Sequence, residues 1–136
     1  MVDVDLDGRN DIVLAASEGG GRLSWYQAPP APQTGAWTEH VVNSSIGYLH
    51  QFVVADINRD GRRDIAFAEM AQSPTKRIGW FENNGGGTSW TMRVFATTGS
   101  HNIRVADMDR DLDLDIVGSN HDGTSPLELW RNTGGT

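Results

Sequence analysis

The chain has no cysteine among its 136 residues, so neither disulfides nor thiolate metal sites are open to it. No apolar run approaches the 18 residues of a membrane-spanning helix. Basic residues are scarce. Eleven Lys and Arg against 18 Asp and Glu leave a net charge of −7, so nucleic acid, which needs clustered cations, is not an expected partner. The opening "MVDVDLDG" has no basic and apolar leader, and no signal peptide is expected within these residues. Catalytic signatures are missing too: no G-x-S-x-G elbow, no H-E-x-x-H, and no glycine-rich loop leading into Lys-Ser/Thr. What remains is 38% hydrophobic with five tryptophans, the composition of a folded chain.

The chain repeats itself. "DVDLDGRNDIV" from Asp3, "DINRDGRRDIA" from Asp56 and "DMDRDLDLDIV" from Asp107 align without gaps, their starts 53 and 51 residues apart. "HQFVVAD" from His50 matches "HNIRVAD" from His101. Trp25, Trp80 and Trp130 follow the three starts at 22, 24 and 23 residues, and Trp37 and Trp90 open the segments after them, so all five tryptophans fit one scheme. This predicts three units, 1–49, 50–100 and an incomplete 101–136, with a Pro-rich surface insertion at 28–36 in the first.

In the middle unit four runs read as strands: Gln51–Asp56, Asp64–Glu69, Arg77–Glu82 and Trp90–Ala96. "NNGGG" at 83–87 reads as a hairpin turn, because Asn and Gly accept positive φ cheaply. "IAFA" and "IGWF" lack a polar face, which suits strands covered on both sides. Four strands per unit of about 50 residues predict an all-β chain of β-propeller blades, each a small antiparallel sheet stacked on its neighbours. The chain spans about two and a half such units, so a closed ring requires further blades or other copies.

The aspartates are the chemical signal. Read as a strand, 107–115 would line one face with five like charges, which repel. Read as a loop, acidic or amide oxygens recur at relative positions 1, 3, 5 and 9: Asp3, Asp5, Asp7, Asp11; Asp56, Asn58, Asp60, Asp64; Asp107, Asp109, Asp111, Asp115. D-x-D-x-D-G-x-x-D wraps one hard cation, with a backbone carbonyl from position 7, supplied by Arg9, Arg62 or Asp113. So many flexible oxygens favour Ca²⁺ over Mg²⁺, and three ions would nearly cancel the charge of −7. Gly8 and Gly61 stand at the sixth position, where the chain turns sharply; Leu112 stands there in the third loop, and Asn58 removes a charge from the second.

With its three aspartate loops and phrases such as "VADINRDGRRDIAFAE" and "IGWFENNGGG", the chain resembles the FG-GAP/VCBS family of calcium-binding propeller blades, in its bacterial branch, over nearly its whole length. The resemblance implies that each loop joins the first and second strands of a blade and that its Ca²⁺ holds the turn. It also implies a secreted or surface-exposed module that binds carbohydrate or a cell-surface protein, or a scaffold beside a carbohydrate-active enzyme.

His50 and His101 each precede a loop's first aspartate by six residues. They read first as structural histidines and second as ligand contacts near the ring axis. The tryptophans read first as blade core, with Trp37 and Trp90, opening the outer strand, as the pair to stack on a sugar. His40 and His121 have no counterpart in the other units.

Overall fold

The computed structural model describes residues 2–120 and 127–134; His121 lies outside them. Ten strands follow in order: β1 Ile12–Ala15, β2 Gly20–Gln27, β3 Thr38–Gly47, β4 Gln51–Ala55, β5 Asp64–Ala68, β6 Ile78–Asn83, β7 Trp90–Ala96, β8 Asn102–Ala106, β9 Asp115–Ser119 and β10 Glu128–Trp130. No helix occurs among the described residues. The strands form three antiparallel sheets, ordered β1-β2-β3, β4-β5-β6-β7 and β10-β9-β8. The four strands expected in the middle unit appear within one residue of their expected ends.

The register repeats from sheet to sheet. Ala55 pairs with Asp64 and Ala106 with Asp115, and an isolated bridge pairs Val2 with Asp11 in the same relation. The Pro-rich insertion is the β2–β3 connection, closed by N–H groups of Thr34 and Gly35 on the Ala31 carbonyl.

The register also corrects one sequence expectation. Trp25 faces Val13 and Trp80 faces Ala66, but Trp130 faces Ile116, the relation that Tyr26 has to Ile12 and Phe81 to Ile65. Leu129, not Trp130, therefore occupies the place of Trp25 and Trp80. Side chains alternate along a strand, so this one-residue difference points Trp130 to the opposite face of its sheet.

The core lies between sheets. Leu23, Ile46 and Leu49 of the first unit pack on Ile65, Phe67 and Phe81 of the second. On the other face of the second sheet Ala66, Ala68 and Ile78 meet Ile103 and Ile116 of the third. β5 is buried along its whole length because it is covered on both faces, as its apolar run Ile65–Ala68 requires. Burying a side chain such as Phe81 contributes roughly 1.5–3 kcal/mol. The three aspartate loops lead into β1, β5 and β9.

Candidate metal centres

Each aspartate loop is held by its own backbone. The position-1 carboxylates of Asp3 and Asp56 accept the N–H groups of positions 5 and 6, at 3.0 and 2.9 Å in both loops. Position 3 accepts from position 5, in Asp5, Asn58 and Asp109 alike. Position 5 accepts from position 7: Asp7 from Arg9, Asp60 from Arg62, Asp111 from Asp113. The third loop departs at its first residue, where Asp107 takes the N–H groups of Arg110 and Leu112.

Two residues per loop adopt positive φ. Position 6 does so through Gly8 (+89°), Gly61 (+84°) and Leu112 (+76°). Leucine there carries the steric cost that glycine avoids. Position 4 does so through Leu6, Arg59 and Arg110, a feature that the sequence pattern did not signal. These turns bring the carboxylates together: ligand atoms of Asp3, Asp5 and Asp11 lie within 4.8 Å of one another, as do those of Asp107, Asp109 and Asp111.

Position 9 has a second task. Asp11, Asp64 and Asp115 are fully buried. One oxygen of each accepts the N–H of loop position 2 (Val4, Ile57, Met108) at 2.9–3.0 Å. The other accepts the N–H of Ala28 just after β2, Asn83 at the end of β6 or Asn132 just after β10, at 2.8–2.9 Å. The ninth aspartate thus brackets loop to sheet whether or not it also holds a cation.

Side chains from the next strand complete the loops. Gln27 donates to Asp5 at 2.5 Å, and Arg131, in the same register position, pairs with Asp109. Glu82 holds that position in the second unit and accepts from Asn58 Nδ2 at 3.3 Å. This accounts for the asparagine, since an aspartate at 58 would face the Glu82 carboxylate. The arginines at position 7 pair with Asp7 and Asp60 and donate through Nε to the carbonyls of Ala28 and Asn83. Asp113 instead meets Arg59 of the second loop at 3.4 Å.

Electrostatics differ between the loops. Burial raises the Asp64 carboxyl to about 6, against the lowering effect of the Asn83 and Ile57 N–H groups. Burial also raises Asp5, with the charges of Asp7, Asp11 and Asp3 adding to it. At Asp109 desolvation is outweighed by Arg131, and its carboxyl lies below the usual range. An all-oxygen set without nitrogen or sulfur suits a hard divalent ion.

A motif that begins on one strand, turns through this loop and enters the next, three times in register, carries a family assignment. Residues 3–67 and again 59–118 match the FG-GAP-like repeat. The chain belongs to the FG-GAP-like repeat family. Comparison with curated proteins and with solved structures returned no match.

Within this FG-GAP-like chain the other candidate residues separate. The rings of His50 and His101 meet edge to face with centroids 4.3 Å apart, and His50 Nε2 lies 3.2 Å from Glu18. Trp37 packs on the Pro-rich loop and donates to Pro32 O at 3.2 Å. Trp90 packs against the first core cluster and donates to Gly87 O at 2.8 Å. The structure adds a feature that no motif announced. A cleft of about 840 Å³ opens between the second and third sheets, lined by Trp80, Arg93 and Phe95 on one side and Ile116, Trp130 and Arg131 on the other. Arg93 lies over the Trp80 ring, 5.9 Å from its centroid, and Phe95 and Trp130 are 6.0 Å apart. Trp130 turns towards this cleft because it stands one residue further along its strand than Trp25 does in the same register.

Proposed function

We propose that this chain is a calcium-stapled propeller segment of an extracellular protein, serving as a non-catalytic module that binds carbohydrate. The observation that carries the calcium reading is the gathering of carboxylates in the first and third loops, each already bracketed to its sheet. Asp3, Asp5, Asp7 and Asp11 hold the first ion; Asp56, Asn58, Asp60 and Asp64 the second; Asp107, Asp109, Asp111 and Asp115 the third. Arg9, Arg62 and Asp113 contribute backbone carbonyls. Bound calcium neutralises the converging charge and rigidifies each turn. Ions of this kind are stapling groups, and the repeated aspartates are committed to them rather than to acid–base chemistry.

The cleft supports the sugar reading. Indole and phenyl faces beside guanidinium and carboxylate groups offer stacking for a sugar ring and hydrogen bonds for its hydroxyls. Trp80 and Trp130 are thus the first residues to test, ahead of Trp37 and Trp90, whose N–H groups are held by the protein's own carbonyls.

A glycan array probed in millimolar Ca²⁺ and again in EDTA tests both parts. Specific binding that EDTA abolishes and Trp80→Ala weakens supports the module as described. A blank array from folded, calcium-loaded protein overturns the carbohydrate reading and leaves adhesion to a cell-surface protein or scaffolding. No thermal shift with Ca²⁺ overturns the calcium reading.

A further inference from the structure

Three loops far apart in sequence are joined through two asparagines. Asn83, fully buried, donates its backbone N–H to Asp64 at 2.9 Å and its side-chain amide to the Val4 carbonyl of the first loop at 3.2 Å. Asn132 repeats the arrangement one unit on, with its N–H on Asp115 at 2.8 Å and its side-chain amide on the Ile57 carbonyl of the second loop at 3.1 Å. Val4 and Ile57 are both second in their loops, and each donates its own N–H to the ninth aspartate of that loop. A continuous line of hydrogen bonds therefore runs from Asp11 through Val4 and Asn83 to Asp64, and on through Ile57 and Asn132 to Asp115.

An amide side chain is what makes both sets of bonds at this position. Its N–H₂ must donate to a carbonyl, and its oxygen accepts the Gly85 and Gly87 N–H groups in one unit and the Gly134 N–H in the next. In the first unit Ala28 stands there and has no amide to pass the connection on.

We propose that Asn83 and Asn132 are positioning residues that couple neighbouring cation loops, so that filling one favours filling the next. This rests on the calcium reading above. The peptide units at Val4 and Ile57 are gripped on one side by a ninth aspartate and on the other by the next unit's asparagine. An ion that orders one loop fixes that peptide. The neighbouring asparagine then docks on a partner already ordered, and the entropy lost when its own loop closes is smaller. Coupling of this kind is reciprocal between sites.

The test follows calcium loading of the full chain by ¹H–¹⁵N NMR, with the Gly61 amide reporting the second loop and the Leu112 amide the third. Disabling the third loop with Asp109→Asn and Asp111→Asn should raise the calcium concentration that half-saturates Gly61 by about fivefold, the worth of one net hydrogen bond. With Asn132→Ala in place the same change should leave Gly61 where it was. Asn132→Asp keeps the size and the acceptor for Gly134 while removing the donor, and should uncouple as well. An equal shift in both backgrounds, or none in either, overturns the coupling while leaving calcium binding intact. A Gly61 amide that never responds to Ca²⁺ overturns the calcium reading and the coupling with it.

Discussion

Trp25 of the first unit and Trp90 of the second donate to the same acceptor, the carbonyl of Gly87, each at 2.8 Å. The turn that links β6 to β7 is thereby the dock for the neighbouring sheet's largest buried side chain. Gly87 is at φ +64°, and a Cβ there would lie 2.7 Å from the Trp25 ring. Gly87→Ala should cost about 1–3 kcal/mol by crowding that contact, measured by urea denaturation. Unchanged stability would mean that the turn yields freely and the dock is unimportant.

The ninth aspartate and the fifth should separate by role. Asp11→Ala leaves two backbone N–H groups without their acceptor, those of Val4 and Ala28. It should lose about 2–5 kcal/mol even in EDTA. Asp7 is exposed. Asp7→Ala should change stability in EDTA by no more than about 0.5 kcal/mol, and should lose part of the stabilisation that calcium adds. Thermal melts of both variants with and without Ca²⁺ check this; equal losses in EDTA would contradict the division.

Leu112 is 69% exposed and sits at φ +76°, so it carries strain without core packing to offset it. Leu112→Gly should stabilise the protein by about 0.5–1 kcal/mol, the relief of left-handed strain less the extra entropy of glycine in the unfolded chain. Denaturation in EDTA is the measurement, and a loss of stability would show that the leucine makes contacts worth more than its strain.

Acid should act through Glu69. Burial by itself would raise its carboxyl, but hydrogen bonds from Arg77 and Thr75 and the Arg77 charge hold it below its usual value. A lowered folded pKa gives stability that is present above the unfolded value and lost as pH falls through the folded one. Folded wild-type protein should therefore weaken on acidification below the ordinary glutamate range. Glu69→Gln should be less stable at neutral pH and show a flatter acid limb, read from melts across pH. An unchanged limb would place the acid sensitivity elsewhere.

Much of this was legible beforehand because the signals are local. The Asp loop is nine residues of contiguous chain, and its oxygens, its glycine and its neighbouring strands follow from spacing alone. The middle unit's four strands were readable for the same reason: apolar runs bounded by turn residues. Less local features escaped. Nothing in the spacing marked positive φ at Leu6, Arg59 and Arg110, where no glycine stands.

What the sequence by itself determined is the all-β class, the repeat of about 50 residues and the three acidic loops, since each is written in short-range pattern. Only the tertiary structure decided which face Trp130 takes, because standing one residue further along an equivalently paired strand inverts the face and leaves the count from the loop almost unchanged. The tertiary structure also decided the cleft between the second and third sheets and the asparagine line between loops. Both are built from residues that meet only when separate units stack, and contacts such as Asn83 with Val4, 79 positions apart, leave no trace in local periodicity.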